Sequence, residues 1–325
     1  MVFDRRPLFG ALFCLTLWSC QAGPAPASSP DAPSSSAKPS GDSTTAGSIL
    51  ESTAQSFLSM IPIRASDKAR AAIAASTTDD EFARALRVRL ELMRGYKDAG
   101  ELSRRAKLPV VNGTLQISDL AALVSRDTPT KGDQKSSFVI DYDEKSFEAP
   151  VAELERSGKS SSPASISAFV ASYISEKSYA RSFDVASRVA STRSGDCTEH
   201  AVLTAALLRR FGFRSRVIFG IVLVGVGGGD TPPSVQAFGH AWVEQHDKDH
   251  WQIIDAALGG PACASGKDLP TVCGVPAGVS RRLAYLPLNV LKDETASFGR
   301  ALMDEVGVES VVRVEVDVSS AGRGD

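Results

Sequence analysis

The stretch Ser194-Gly195-Asp196-Cys197-Thr198-Glu199-His200-Ala201-Val202-Leu203-Thr204-Ala205-Ala206-Leu207-Leu208-Arg209-Arg210-Phe211-Gly212 decides the fold of this chain. It reads as one helix with both ends marked. Asp196 is a residue type whose side chain accepts from the unpaired N–H groups of a first turn. Cys197 to Phe211 is strongly apolar, and Gly212 is the residue type that ends a helix. A cysteine in that first turn lies at the positive end of the helix dipole, where negative charge is stabilised.

Strands follow the helix. Residues 214–224 are rich in β-branched types, and two further strands are expected over 238–245 and 251–256, joined by a charged turn around Asp247 and Lys248. If that turn is a two-residue loop of Asp247 and Lys248, or a four-residue one from His246 to Asp249, paired numbers add to 495, so His240 faces Asp255, Trp242 faces Ile253 and Glu244 faces Trp251. A slip of one residue would put Asp255 on the opposite face. Gly225-Val226-Gly227-Gly228-Gly229 lacks the Lys-Ser/Thr of a phosphate-binding loop and leads into no helix, so 225–233 reads as a loop between strands.

Upstream, Ser162-Pro163 opens a helix to about Lys177, with Ile166, Phe169, Val170, Tyr173 and Ile174 on its apolar face. A shorter helix is expected over 178–192 and a strand over Ser136 to Tyr142. Ile49 to Arg94 reads as helical, with Phe82, Leu86, Leu90 and Met93 at helical spacing and Thr78 as a cap. Near the C-terminus a helix over 290–306 and an alternating strand over 308–318 are expected. Helices followed by mostly antiparallel strands make an α+β fold.

The chemistry centres on three residues. A nucleophilic cysteine works as its thiolate, and it needs an imidazole to exchange the proton and a carboxylate or amide to orient that imidazole. His240 on one strand and Asp255 on the next supply both. His200 shares the cysteine's helix and points back along it, so it reads as a packing residue. His240, His246 and His250 with Asp247 or Asp249 cross strand, turn and strand in no zinc-binding pattern. No metal or cofactor is therefore expected.

The run Gly195-Asp196-Cys197-Thr198-Glu199-His200-Ala201, with Leu203, Ala206-Leu207-Leu208-Arg209 and Gly212, resembles the nucleophile helix of bacterial transglutaminase-like proteins. Gly239-His240-Ala241-Trp242-Val243-Glu244 is similar to that family's histidine strand, and Trp251-Gln252-Ile253-Ile254-Asp255-Ala256 to its aspartate strand, although Ala256 stands where the family often has proline. The two-cysteine signature of papain is absent. The resemblance, covering about 162–260, implies a helix bearing the nucleophile packed on an antiparallel sheet, the shared core of transglutaminase-like and papain-like proteins. It also implies Cys197 as nucleophile, His240 as base and acid, and Asp255 as orienter.

Composition and termini set the context. Of 325 residues, 43% are hydrophobic and 23% charged, and the net charge of -2 gives no basic surface for a nucleic-acid partner. Arg5 and Arg6 precede a short apolar stretch, Leu8 to Trp18, of signal-peptide length. Leu17-Trp18-Ser19-Cys20 resembles a bacterial lipobox, which implies a lipid-bearing Cys20 and a membrane contact through that anchor alone. The Ala/Pro/Ser-rich run to Gly47 reads as a disordered tether. Cys263 and Cys273 stand ten apart in a chain bound for an oxidising compartment, and are expected to pair; Cys197 is then the one free thiol. The expected organisation is a signal peptide (1–19), lipidated cysteine and linker (20–47), an N-terminal helical region (48–130) and a transglutaminase-like domain (131–325). An amidase or peptidase of the cell envelope acting on a protein or peptide, a transamidase, and a binding module on the same fold all stay open.

Overall fold

Two four-stranded sheets carry the fold, and the chain order of their strands decides what the site is built on. The computed structural model describes residues 60–158, 162–177, 184–228, 230–259, 279–291 and 308–318. In chain order the elements are β1 (Ile63–Ala65), α1 (Asp67–Ala75), α2 (Asp79–Ala85), β2 (Leu86–Leu92), α3 (Glu101–Ala106), β3 (Thr114–Ile117), α4 (Glu148–Arg156), α5 (Pro163–Tyr173), β4 (Glu176–Lys177), α6 (Ala186–Thr192), β5 (Ser194–Gly195), α7 (Cys197–Arg210), β6 (Ser215–Gly228), β7 (Thr231–Asp247), β8 (His250–Ile254), β9 (Ser280–Val290) and β10 (Val311–Val318). The result is α+β, as expected. No helix among the described residues is long and apolar enough to cross a membrane. The expected signal segment, Cys20, Cys263 and Cys273 all lie outside the described residues.

The first sheet has the order β1-β10-β2-β3. It corrects the reading of 49–94 as helical throughout. Thr78 does cap α2, its hydroxyl accepting from Glu81 N–H at 3.1 Å. From Leu86 onward, however, the chain is a strand in which Leu86, Val88, Leu90 and Leu92 are buried and Arg87, Arg89 and Glu91 alternate with them. That is a period of two, not 3.6. Leu86 and Leu90 fit both periods. The tie is broken by β10, which pairs antiparallel with β2 from Leu92 to Leu86.

The second sheet is antiparallel, in the order β8-β7-β6-β9. Its central strands run on through the glycine-rich segment, correcting the reading of 225–233 as a loop: Gly225 pairs with Val235 and Val226 with Ser234, and the hairpin closes only beyond Gly228 and Thr231. Gly225 is required by close packing, since a Cβ there would lie 2.9 Å from both Ile73 and Phe82. β9 was not anticipated. It takes in Val290, where a helix was expected to start, and the rest of that expected helix beyond Leu291 falls outside the described residues.

Ser136 to Tyr142 is not a strand. Val139 and Ile140 are buried, but their carbonyls are taken by Ala186 N–H and by the N–H groups of Ser137 and Tyr142, with no neighbouring strand. The segment serves instead as a cap for α6: Asp141 accepts from Ser187 N–H at 2.7 Å and from its hydroxyl at 2.5 Å.

Two cores result. In one, α7 packs against α5, α6 and the sheet residues Val217, Ala241 and Val243. Every α7 residue from Glu199 to Arg209 is buried, as befits a helix apolar nearly all round. In the other, Ile73, Phe82 and the inner residues of the first sheet meet Ile221, Leu223, Ala237 and Leu286 of the second. An ion cluster adds a further tie. Glu244 on β7 accepts from Arg105 of α3 at 2.5 and 3.0 Å and from Arg216 of β6 at 3.0 and 2.8 Å. Arg216 also reaches Asp127 at 3.0 Å and lies over the Trp251 ring at 3.9 Å.

Candidate active site

The site begins with the way α7 starts. Asp196 Oδ1 accepts from Thr198 N–H at 2.8 Å, and Glu199 Oε2 accepts from Asp196 N–H at 2.9 Å, a reciprocal cap that fixes the first turn. Glu199 must fold back over Gly195 to do this. Gly195 has φ +154°, and a Cβ on it would stand 2.3 Å from Glu199 Cβ, so only glycine fits. Burial, reinforced by the Asp196 charge, raises the Glu199 carboxyl to about 8. His200 Nδ1 donates to Asp196 O at 2.6 Å and is buried, the packing role expected of it. Cys197 is left at the first helical position, partly exposed, with its thiol free.

The hairpin of β7 and β8 supplies the other two residues. His240 Nε2 donates to Asp255 Oδ2 at 2.8 Å, and the two side chains are 1% and 4% exposed. The register that does this differs from the expected one. The turn is Lys248-Asp249, with Lys248 at φ +54°, so Asp247 pairs with His250, His246 with Trp251 and Glu244 with Ile253. Asp255 lies just past the end of β8, diagonal to His240 rather than opposite it. Moving the turn by one residue changes each pair by two positions, so every side chain keeps its face.

The ring of His240 is held from one side. Its Nδ1 takes no nitrogen or oxygen partner among the described residues, and the Cys197 side chain is the second group acting on the ring. Burial alone would lower the imidazole's pKa. The Asp255 charge and hydrogen bond outweigh it, Cys197 adds to them, and the result is about 10. Asp255 moves the opposite way. Burial would raise it, but His240, the Leu258 N–H and the Tyr285 hydroxyl bring it below the usual carboxylate range. At neutral pH the pair is therefore imidazolium and carboxylate. A cavity of about 320 Å³ opens at the carboxylate end, walled by Trp242, Tyr285, Leu283 and Pro287 with Asp79 and Asp80 at its edge.

The pair leaves a signature in stability. A histidine raised from 6.5 to about 10 contributes fully below pH 6.5 and loses its contribution as pH climbs through 10. An aspartate lowered from 3.8 contributes above that value and loses its contribution as pH falls. Wild type should therefore exceed Asp255→Asn in urea-unfolding stability by the widest margin between about pH 4 and 6.5. The margin should narrow by pH 10. A margin that does not change with pH would mean the pair is not charged in the folded protein.

Tyr285 is the residue that sequence reasoning missed. Its hydroxyl donates to Asp255 Oδ2 at 2.9 Å, and its ring lies 5.1 Å from Trp242 and 6.5 Å from His240. The continuous apolar run Leu283-Ala284-Tyr285-Leu286-Pro287-Leu288 was the available signal for its strand.

A cysteine at a helix start and an imidazole tied to a buried carboxylate are the groups that thiol-dependent chemistry uses. Residues 151–256 match the family model of the transglutaminase-like superfamily core. Among solved structures it is similar to one from Cytophaga hutchinsonii described as "a Putative Cysteine Protease", at 19% identity and a TM-score of 0.28, covering 50% of this chain and 57% of that one. The chain thus spans little more than half of that protein's length. No curated protein matches the chain in sequence.

Proposed function

We propose that the chain is a thiol-dependent acyl-transfer enzyme that cleaves an amide or peptide bond, with Cys197, His240 and Asp255 as its catalytic residues. The observation that carries this reading is the His240 ring, tied to Asp255 through Nε2 while Nδ1 is left without a nitrogen or oxygen partner among the described residues. Cys197 as thiolate adds to the substrate carbonyl, and His240 protonates the departing amine. That leaves a thioester on Cys197 and a neutral imidazole. Water then gives a proton to His240 while its oxygen attacks the thioester. The acid leaves, and the thiolate–imidazolium pair is restored. Exchange of the acyl group to a lysine amine instead of water would be transamidation by the same steps.

The test is capture of the intermediate. Incubating the protein with peptide and cell-wall fragment libraries, quenching in acid and mapping by mass spectrometry should find an acyl group on Cys197 that hydroxylamine removes. Released acid identifies a hydrolase and amine adducts a transamidase, while no acylation across such libraries would speak for a binding module. The reading includes export to the cell envelope on a lipidated Cys20 and a Cys263–Cys273 bridge in the mature protein. Membrane fractionation of wild type and Cys20→Ala checks the anchor, and non-reducing peptide mapping checks the bridge.

A further inference from the structure

Asp255 answers to more than His240. Its Oδ1 accepts from the N–H groups of Ala257 and Leu258, both at 2.9 Å, and its Oδ2 accepts from His240 Nε2 at 2.8 Å and from Tyr285 Oη at 2.9 Å. Four donors fill the lone pairs of one buried carboxylate. Two of them share the oxygen that holds the imidazole. The backbone pair would fix Asp255 in place without help. The tyrosine hydroxyl, by contrast, competes with His240 for charge on a single atom.

We infer that Tyr285 is a positioning residue for the acyl-transfer reaction, its hydroxyl sharing Asp255 Oδ2 with His240 and so setting how tightly the carboxylate holds the imidazolium proton. The inference rests on the thiol-enzyme reading above. A hydrogen bond to an ionised acceptor draws off part of its charge. With the hydroxyl present, Asp255 is a weaker base toward His240, and the imidazolium gives its proton to a leaving amine more readily. Tyr285 suits the task because it stays protonated: burial first, and then the Asp255 charge, push its phenol well above the ordinary range. The charged groups around the cluster are few. Asp255 and Cys197 act on His240, while Asp79 and Arg281 act on Tyr285 alongside Asp255. The ring is locked by its place in the middle of β9, opposite Val222, and by its contact with Trp242. A phenylalanine would keep those contacts and lose only the hydrogen bond.

The experiment follows the His240 ring by nitrogen NMR across pH in the full chain, in wild type, Tyr285→Phe and a variant with 2,3-difluorotyrosine at 285. Alkylation of Cys197 by chloroacetamide is measured in parallel, in these and in His240→Ala. Tyr285→Phe should raise the pH at which His240 titrates by about half a unit or more. The fluorinated phenol is a stronger donor of nearly the same shape and should lower it. A purely structural role would not give shifts of opposite sign. Should Tyr285→Phe fail to fold, the fluorinated protein carries the test alone. If His240 titrates alike throughout while alkylation still depends on His240, the role of Tyr285 is overturned and the enzyme reading stands. If alkylation is the same in wild type and His240→Ala, the enzyme reading falls, and this inference with it.

Discussion

Replacing His240 with alanine is expected to slow alkylation of Cys197 at pH 6 by on the order of 100-fold, within the range that a positioned acid–base group contributes. The reason is local. The imidazolium beside the thiol is held charged by Asp255 at 2.8 Å, so in wild type a positive charge stands next to the sulfur at pH 6. Alanine removes that charge and leaves only the helix N-terminus to favour the thiolate. Asp255→Asn should fall between the two proteins, because its imidazole remains but loses the carboxylate that keeps it protonated. Chloroacetamide labelling followed by peptide mapping reads all three. Rates within twofold of each other would mean that the imidazole does not activate this thiol.

The second large effect concerns stability. Glu244→Ala should cost about 3–5 kcal/mol, the usual price of leaving buried charges without their partner. The side chains of Arg105 and Glu244 are each 3% exposed and that of Arg216 is 7% exposed, so water does not replace the lost carboxylate. Arg105 keeps Glu101 at 3.2 Å and Arg216 keeps Asp127 at 3.0 Å, which limits the loss but does not remove it. Against a typical total of about 5–15 kcal/mol, such a change is large. Urea unfolding at neutral pH measures it. A loss below about 1 kcal/mol, as for an exposed pair, would show that the cluster is solvated in solution.

Local chemistry was the legible part of this protein. Asp196 as cap, Gly212 as stop and the three motifs around Cys197, His240 and Asp255 each depend on residues within a few positions, and the helix and hairpin that carry them form where expected. Even the mistaken turn did no harm, because parity, not exact pairing, puts His240 and Asp255 on one face. What was not legible depends on distant partners. Leu86 to Leu92 is a strand because β10 lies against it. Ser136 to Tyr142 has a strand's composition but no strand to pair with among the described residues. Tyr285 belongs to the site only because β9 is brought alongside β6, with Tyr285 opposite Val222. Nothing near Tyr285 in the sequence announces an aspartate as its partner.

The place of β10 has a consequence for how the protein is made. It enters the first sheet between β1 and β2, with Val318 against Leu86 and Val316 against Ala65. A ribosome delivers β1 and β2 early and the strand that joins them last among the described elements. Until it arrives, Ile63 lacks its ladder partner Val314, Val88 and Leu90 are paired on one side only, by Ile117 and Leu115 of β3, and one side of the core they share with Ile221 and Leu286 stays open. Pairings this far apart in the chain form slowly. A nascent chain halted before Val311 holds Cys197, His240 and Asp255, yet its first sheet lacks the inner strand that joins β1 to β2.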